Sequence, residues 1–158
     1  MRRFTLLLVG AVMAALMLAV AGVAWAVDDT TPPTVVSTTP ADDETGFDRD
    51  ASIKVKFSEA MMKDTINRRH FYFLYGTYSY EDLNSESGGV GQTTFGFDVR
   101  YNAQKRIVTL DPSVRLDRRE TYTVWVEGGG DPDRFAVKDR AGNELAADYI
   151  WHFTTGAN

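Results

Sequence analysis

The chain has 158 residues, 44% of them hydrophobic, a formal charge of −5 at pH 7 and no cysteine. Lacking cysteine, it has no disulfide to support a fold and no thiolate to serve as nucleophile or metal ligand. The acidic balance argues against nucleic acid or an anionic membrane surface as partner.

The first 26 residues read as a signal peptide. Met1-Arg2-Arg3 gives a short positive start, Phe4 to Val23 is almost wholly apolar, and Ala24-Trp25-Ala26 forms an A-x-A cleavage pattern before the polar Asp28-Asp29. An uncleaved anchor is the alternative, since a run of about 20 apolar residues can cross a bilayer. The small residues and the polar exit favour cleavage after Ala26. Removing Arg2 and Arg3 takes the basic residues from 17 to 15 against 22 acidic ones, which leaves −7 on residues 27–158. We expect residues 27–33 to form a linker and residues 34–156 one folded domain with an insertion at 75–94. A chain of that size buries enough apolar surface for a single core.

Beyond the leader the apolar residues recur with period two in short runs bounded by Gly, Pro, Asp or Asn, which predicts strands. Thr34 to Ser37 follows Pro32-Pro33 and reads as an edge strand. Ala41 to Asp50 is polar around Gly46 and reads as a loop. Ile53, Val55 and Phe57 alternate with Ser52, Lys54 and Lys56, a strand with one wet face. Ser58 is placed to cap a single helical turn, after which His70 to Tyr75 resumes extended structure. Tyr75 to Thr94, rich in Gly, Ser and Tyr, predicts a long loop or loose hairpin. Phe97, Val99 and Tyr101 alternate with Asp98 and Arg100, then turn at Asn102–Lys105 into Arg106–Leu110 as a hairpin. Three more strands are expected at Thr121–Glu127, Phe135–Val137 and Tyr149–Thr155. Seven to eight short strands predict an all-β, antiparallel β-sandwich. Val55, Phe57, Phe97, Val99, Leu110, Tyr122, Val124, Trp151 and Phe153 are its candidate core. Tyr122, six residues after Leu116, fits a tyrosine corner, with the ring in the core and the hydroxyl on the preceding loop.

Several phrases together resemble a known family. PPTVVSTTPADDETGFDRDASIKVKFSEAM is similar to the opening of SbsA-type bacterial Ig-like domains, and LDRRETYTV, KDRAGNEL and WHFTT are similar to their closing strands. The resemblance covers residues 32–75 and 95–156, and the 75–94 insertion is longer than the family pattern. It implies an Ig-like β-sandwich of secreted and surface-layer bacterial proteins, often one of several tandem modules. It brings no catalytic residue.

Chemistry-bearing motifs are few. Asp139, Asn143 and Glu144 in VKDRAGNEL suggest a calcium loop, but Arg140 and Ala141 occupy the positions where further oxygens are needed. A turn is the simpler reading, with Asp139 bonding amides ahead of it and Gly142 and Asn143 tolerating positive φ. His70 and His152 fall in predicted strands as solvated or half-buried residues, and no G-x-S-x-G elbow or H-E-x-x-H pair occurs. No catalytic, metal or cofactor residue is therefore assigned, and the chain reads as a non-enzyme.

The remaining signal lies on strand faces. With Tyr122, Val124 and Val126 inward, Trp125 points out of the sandwich. Ile150 and His152 point the same way on the last strand, and Tyr72 or Leu74 joins from a neighbour. The insertion adds Tyr78 and Tyr80 among small polar residues, a composition suited to adaptable contacts. These residues (Trp125, Ile150, His152, Tyr72, Tyr78 and Tyr80) form a candidate partner surface. The alternative is that the insertion covers Trp125 as a satellite core. The expected role is a secreted or cell-surface module, structural or in contact with a protein or cell-wall component, with no stable membrane insertion after cleavage. A carbohydrate- or calcium-dependent binding domain is the alternative function.

Overall fold

The structure is a computed structural model that describes residues 28–84, 95–129 and 135–158. The expected signal peptide and residues 85–94 of the insertion lie outside the described residues. Among the described residues are eight strands: β1 Val35–Thr39, β2 Glu44–Phe47, β3 Ile53–Phe57, β4 Phe71–Tyr75, β5 Phe97–Asn102, β6 Ile107–Pro112, β7 Thr121–Val126 and β8 Tyr149–Thr155. One 3-10 turn, Lys63–Thr65, and one short helix, α1 Tyr80–Asn84, complete the elements. The strands make two four-stranded sheets, ordered β1-β3-β6-β5 and β2-β8-β7-β4. This is the all-β sandwich that the period-two pattern predicts.

The inner faces are built from the expected alternation. Ile53, Val55 and Phe57 of β3, with Val108 and Leu110 of β6, face Phe71 and Phe73 of β4, Tyr122, Val124 and Val126 of β7, and Trp151 and Phe153 of β8. All of these are buried. Aromatic rings from different strands meet in the middle: Phe73 lies 5.2 Å from Tyr122 and 6.2 Å from Phe153 between centroids. The tyrosine corner is present, because the Tyr122 hydroxyl accepts the Asp117 amide at 2.8 Å while its ring is fully buried. The β5–β6 hairpin also forms as expected, with Asn102 Oδ1 accepting the Lys105 amide at 3.0 Å and Arg106 at φ 58°.

Four local expectations are corrected. The polar stretch 41–50 contains β2, which pairs parallel with β8 rather than looping past it. Only Phe47 of β2 is buried, so its sequence lacks the alternation that marks a half-buried strand. Phe135–Val137 is not a strand. The Val137 amide bonds to Glu127 O at 3.1 Å and two isolated bridges follow at Lys138 and Asp139. Ser58 caps no helix, since its hydroxyl accepts the Thr34 amide at 3.0 Å and the helical turn begins five residues later, at Lys63. His70 precedes β4 and is buried rather than half-solvated.

The glycines after β7 have a packing role. A Cβ on Gly128 would lie 2.1 Å from the carbonyl carbon and oxygen of Ala147, and the Gly128 amide donates to Asp148 Oδ1 at 2.8 Å. Only a residue without a side chain lets the end of β7 lie against the backbone entering β8. Replacing Gly128 by Ala is expected to destabilise the fold by about 3 kcal/mol or more through this overlap. Urea denaturation measures it, and an unchanged midpoint would contradict the close approach.

Candidate functional site

Strand β7 is buried on both faces. Of Thr121–Val126 only Thr121 retains partial exposure. Its register with β4 sets Trp125 beside Tyr72, and its register with β8 sets Trp125 beside Ile150. Trp125 therefore points out of the sandwich, as the alternation requires, yet it is only 1% exposed. It forms a second cluster with buried Leu74, packed against Tyr72, Tyr78 and Ile150. The Tyr72 ring stacks on it at 4.6 Å between centroids, with 23° between the planes. Dispersion and area burial both favour this arrangement over an open indole.

The cover is the segment that follows β4, residues 76–78, held by polar pins. The Gly76 amide donates to Thr121 O at 2.8 Å. Thr123 Oγ1 donates to Gly76 O at 2.7 Å and accepts the Tyr78 amide at 3.0 Å. His152 Nε2 reaches Tyr78 O at 2.8 Å, and a carbonyl only accepts, so Nε2 carries the hydrogen. Thr123 was not among the expected site residues. Its signal was a hydroxyl at the outward position on Trp125's own face, which needs a partner when buried. Five of the six expected residues thus meet: Trp125, Tyr72, Tyr78 and Ile150 in the cluster, and His152 at its border. The sixth, Tyr80, begins α1 and is 55% exposed. An open Trp125 face is replaced by a closed one, rimmed by tyrosines.

The second histidine sits on the same sheet, at the other end of this face. His70 Nδ1 lies 2.7 Å from Phe135 O and 3.2 Å from Glu127 Oε2, so its Nδ1–H serves two acceptors. Tyr72 donates its hydroxyl to the other Glu127 oxygen at 3.0 Å. His70 and Glu127 are both buried, and their bonds hold backbone and sheet together.

Among the described residues, two groups of side chains could offer a cation several ligands. In one, Asp29, Glu59 and Asp139 bring carboxylate oxygens within 4.8 Å of one another. Asp139 is committed to its turn. Oδ1 accepts the amides of Gly142 and Asn143 at 2.7 and 2.8 Å, and Oδ2 accepts Asn143 Nδ2 at 2.8 Å. Gly142 stands at φ 98°. VKDRAGNEL is thus the turn that its ligand spacing favours. Burial raises the Asp139 pKa, but the bonds from Asn143, Gly142 and Ala141 outweigh it and hold the carboxyl below its ordinary value. In the other group, Asp42 and Asp43 approach His152 within the same 4.8 Å.

Matched against known families, residues 29–155 fit the one described as Bacterial Ig-like domain. The chain belongs to that family. No curated protein matches the chain. Among solved structures, this Ig-like domain shares its fold with the surface layer protein SbsC, domains 1-6, at 22% identity and a TM-score of 0.51, over 80% of this chain and 14% of that one. It shares the fold equally with PcoC, a methionine-rich copper resistance protein from Escherichia coli, at 14% identity and a TM-score of 0.51, over 79% of this chain and 99% of that one. The Ig-like domain thus spans about one seventh of the SbsC chain.

Glu59 offers a direct test of the acidic cluster. Burial first, then the Asp139 and Asp29 charges, push its pKa above the ordinary value, against the Ser58 bond and Arg106. A raised carboxyl favours the folded state at low pH, and that contribution is lost as pH rises through the raised value. Glu59→Gln is therefore expected to stabilise the fold at neutral pH, by at most about 0.5 kcal/mol. The difference should vanish in thermal melts near about pH 3, where Glu59 is protonated. A variant less stable at neutral pH would contradict the repulsion.

Proposed function

We propose that the chain is an exported, non-catalytic Ig-like module of the SbsA type, with a structural or protein-contact role at the bacterial cell surface. The leader at residues 1–26 directs export, and residues 34–156 form the module. The observation that carries this reading is the use to which the described histidines are put. Both bond backbone carbonyls, His70 to Phe135 and His152 to Tyr78, and so hold the scaffold. A surface depression of about 600 Å³, lined by Met61, Met62, Lys63, Tyr101, Ala103 and Arg140, offers neither an imidazole nor a carboxylate for acid–base work. Among the described residues no helix is long and apolar enough to cross a membrane. A surface layer protein shares the fold, which is in keeping with a place at the cell surface.

Contact runs through the covered face rather than through Trp125 itself. Tyr80 stands out from α1, and Tyr72, Tyr78 and Ile150 form a half-buried rim over a rigid base. Tyrosines on a fixed base give contact area at low entropic cost. The partner is a surface protein or a cell-wall component, not nucleic acid.

A photo-crosslinking amino acid placed at Tyr80 or Ile150 in the producing bacterium tests this surface. Discrete adducts are expected from both positions and none from Lys54, which is exposed on the opposite sheet. Equal labelling from all three, or none from Tyr80 and Ile150, would overturn the assignment.

A further inference from the structure

The geometry points to a divalent transition-ion site, of the kind zinc occupies, formed by Asp42, Asp43 and His152. The inference does not rest on the proposed partner surface, although His152 borders it. It begins with the imidazole. Because Nε2–H is spent on the Tyr78 carbonyl, the neutral ring presents its lone pair at Nδ1. Nδ1 lies 3.9 Å from Asp42 Oδ1, and a ligand atom from each of Asp42, Asp43 and His152 falls within 4.8 Å of the other two. Three side-chain acceptors thus converge; the His152 amide donates to one of them, Asp42 Oδ1, and the arrangement still suits a cation in the middle.

Backbone pairing fixes the convergence. The Asp43 amide donates to His152 O at 2.8 Å, and the His152 amide donates to Asp42 Oδ1 at 3.0 Å. Asp42 and Asp43 occupy the turn between β1 and β2, and Asp43 sits at φ 59°. The fold therefore presents two adjacent carboxylates to one residue of β8. The Tyr78 carbonyl does for His152 what a carbonyl or carboxylate does behind most metal-bound histidines: it fixes ring orientation and tautomer.

The donor set selects the class of ion. One imidazole nitrogen with two carboxylate oxygens suits zinc, nickel or copper(II), whereas calcium and magnesium prefer oxygen alone and more of it. Metal–ligand bonds of about 2.0–2.2 Å place tetrahedral donors about 3.3–3.6 Å apart, so donors up to 4.8 Å apart must close by as much as about 1.5 Å, a movement for the exposed aspartate side chains. Three protein ligands leave open positions for water. The Asp29, Glu59 and Asp139 group lacks such an assignment, because Asp139 has already given both oxygens to its turn. An ion at Asp42, Asp43 and His152 would join the β1–β2 turn, β8 and, through Tyr78, the insertion.

Zinc alone, titrated calorimetrically into the purified protein at about pH 7.5 because metal ligands bind in deprotonated form, tests the site. Imidazole nitrogen NMR is followed in parallel. One saturable site is expected, with zinc moving the His152 Nδ1 resonance and leaving His70 unchanged; calcium should move neither. Asp43→Asn removes a charge while keeping a side chain that tolerates positive φ. It should weaken zinc binding by at least about tenfold without changing the melting temperature of the zinc-free protein. No saturation at about millimolar zinc, equal affinity in the variant, or a response confined to His70 would overturn the site.

Discussion

One strand that is buried on both faces governs this molecule. β7 sends Tyr122, Val124 and Val126 into the sandwich and Trp125 out of it, and both sets are buried. The inner set is covered by the opposite sheet. The outer set needs a separate cover, and the chain supplies one immediately after β4, the strand that lies beside Trp125. An aromatic side chain buries about 150–250 Å², which at about 25 cal/mol per Å² corresponds to several kcal/mol as an upper value. That gain offsets the ordering of residues 76–80. The Thr123 and His152 pins then fix the position that burial favours.

The fold was legible wherever a strand had one dry face. Ile53, Val55 and Phe57, and likewise Tyr149, Trp151 and Phe153, gave a clean alternation, and Tyr122 could be assigned to its corner from spacing. β2 was not legible, because a parallel edge strand with only Phe47 buried carries no periodicity. Ala136 and Val137 misled in the opposite sense: they are buried, but by a connecting segment that bonds to Glu127 and Leu145 rather than to a full strand. Residues that meet around Trp125 were legible as a set through face and register. Its closure was legible only as one of two alternatives, because alternation tells which way an indole points and not what lies above it. The approach of Asp42 and Asp43 to His152 joins segments about 110 residues apart, a distance over which local pattern carries no information.

Polar groups near the covered face share a common logic. Thr123 and His152 each bond to the insertion, while His70, Glu127 and Tyr72 bond to one another and to Phe135. Each satisfies buried hydrogen-bonding capacity, and together they leave a rigid face instead of a reactive one. This is why a domain with two histidines and many carboxylates reads as a scaffold. The acidic turn at VKDRAGNEL belongs to the same pattern: Asp139 spends its oxygens on the backbone, and Asn143 Nδ2 also reaches Asp29 O at 2.9 Å, which fastens the start of the module to its last turn. His152 keeps an acceptor facing the carboxylates of Asp42 and Asp43.

Closure over Trp125 is the central claim, and the solvent contact of that one side chain tests it most directly. Labelling with 5-fluorotryptophan gives each indole its own fluorine resonance, and Trp125→Phe assigns the relevant one. The resonance of Trp125 is predicted to show almost no shift between H₂O and D₂O, matching that of Trp151 in the sandwich core. A full solvent isotope shift at Trp125 would mean that the insertion stands away from β7, and would contradict the account.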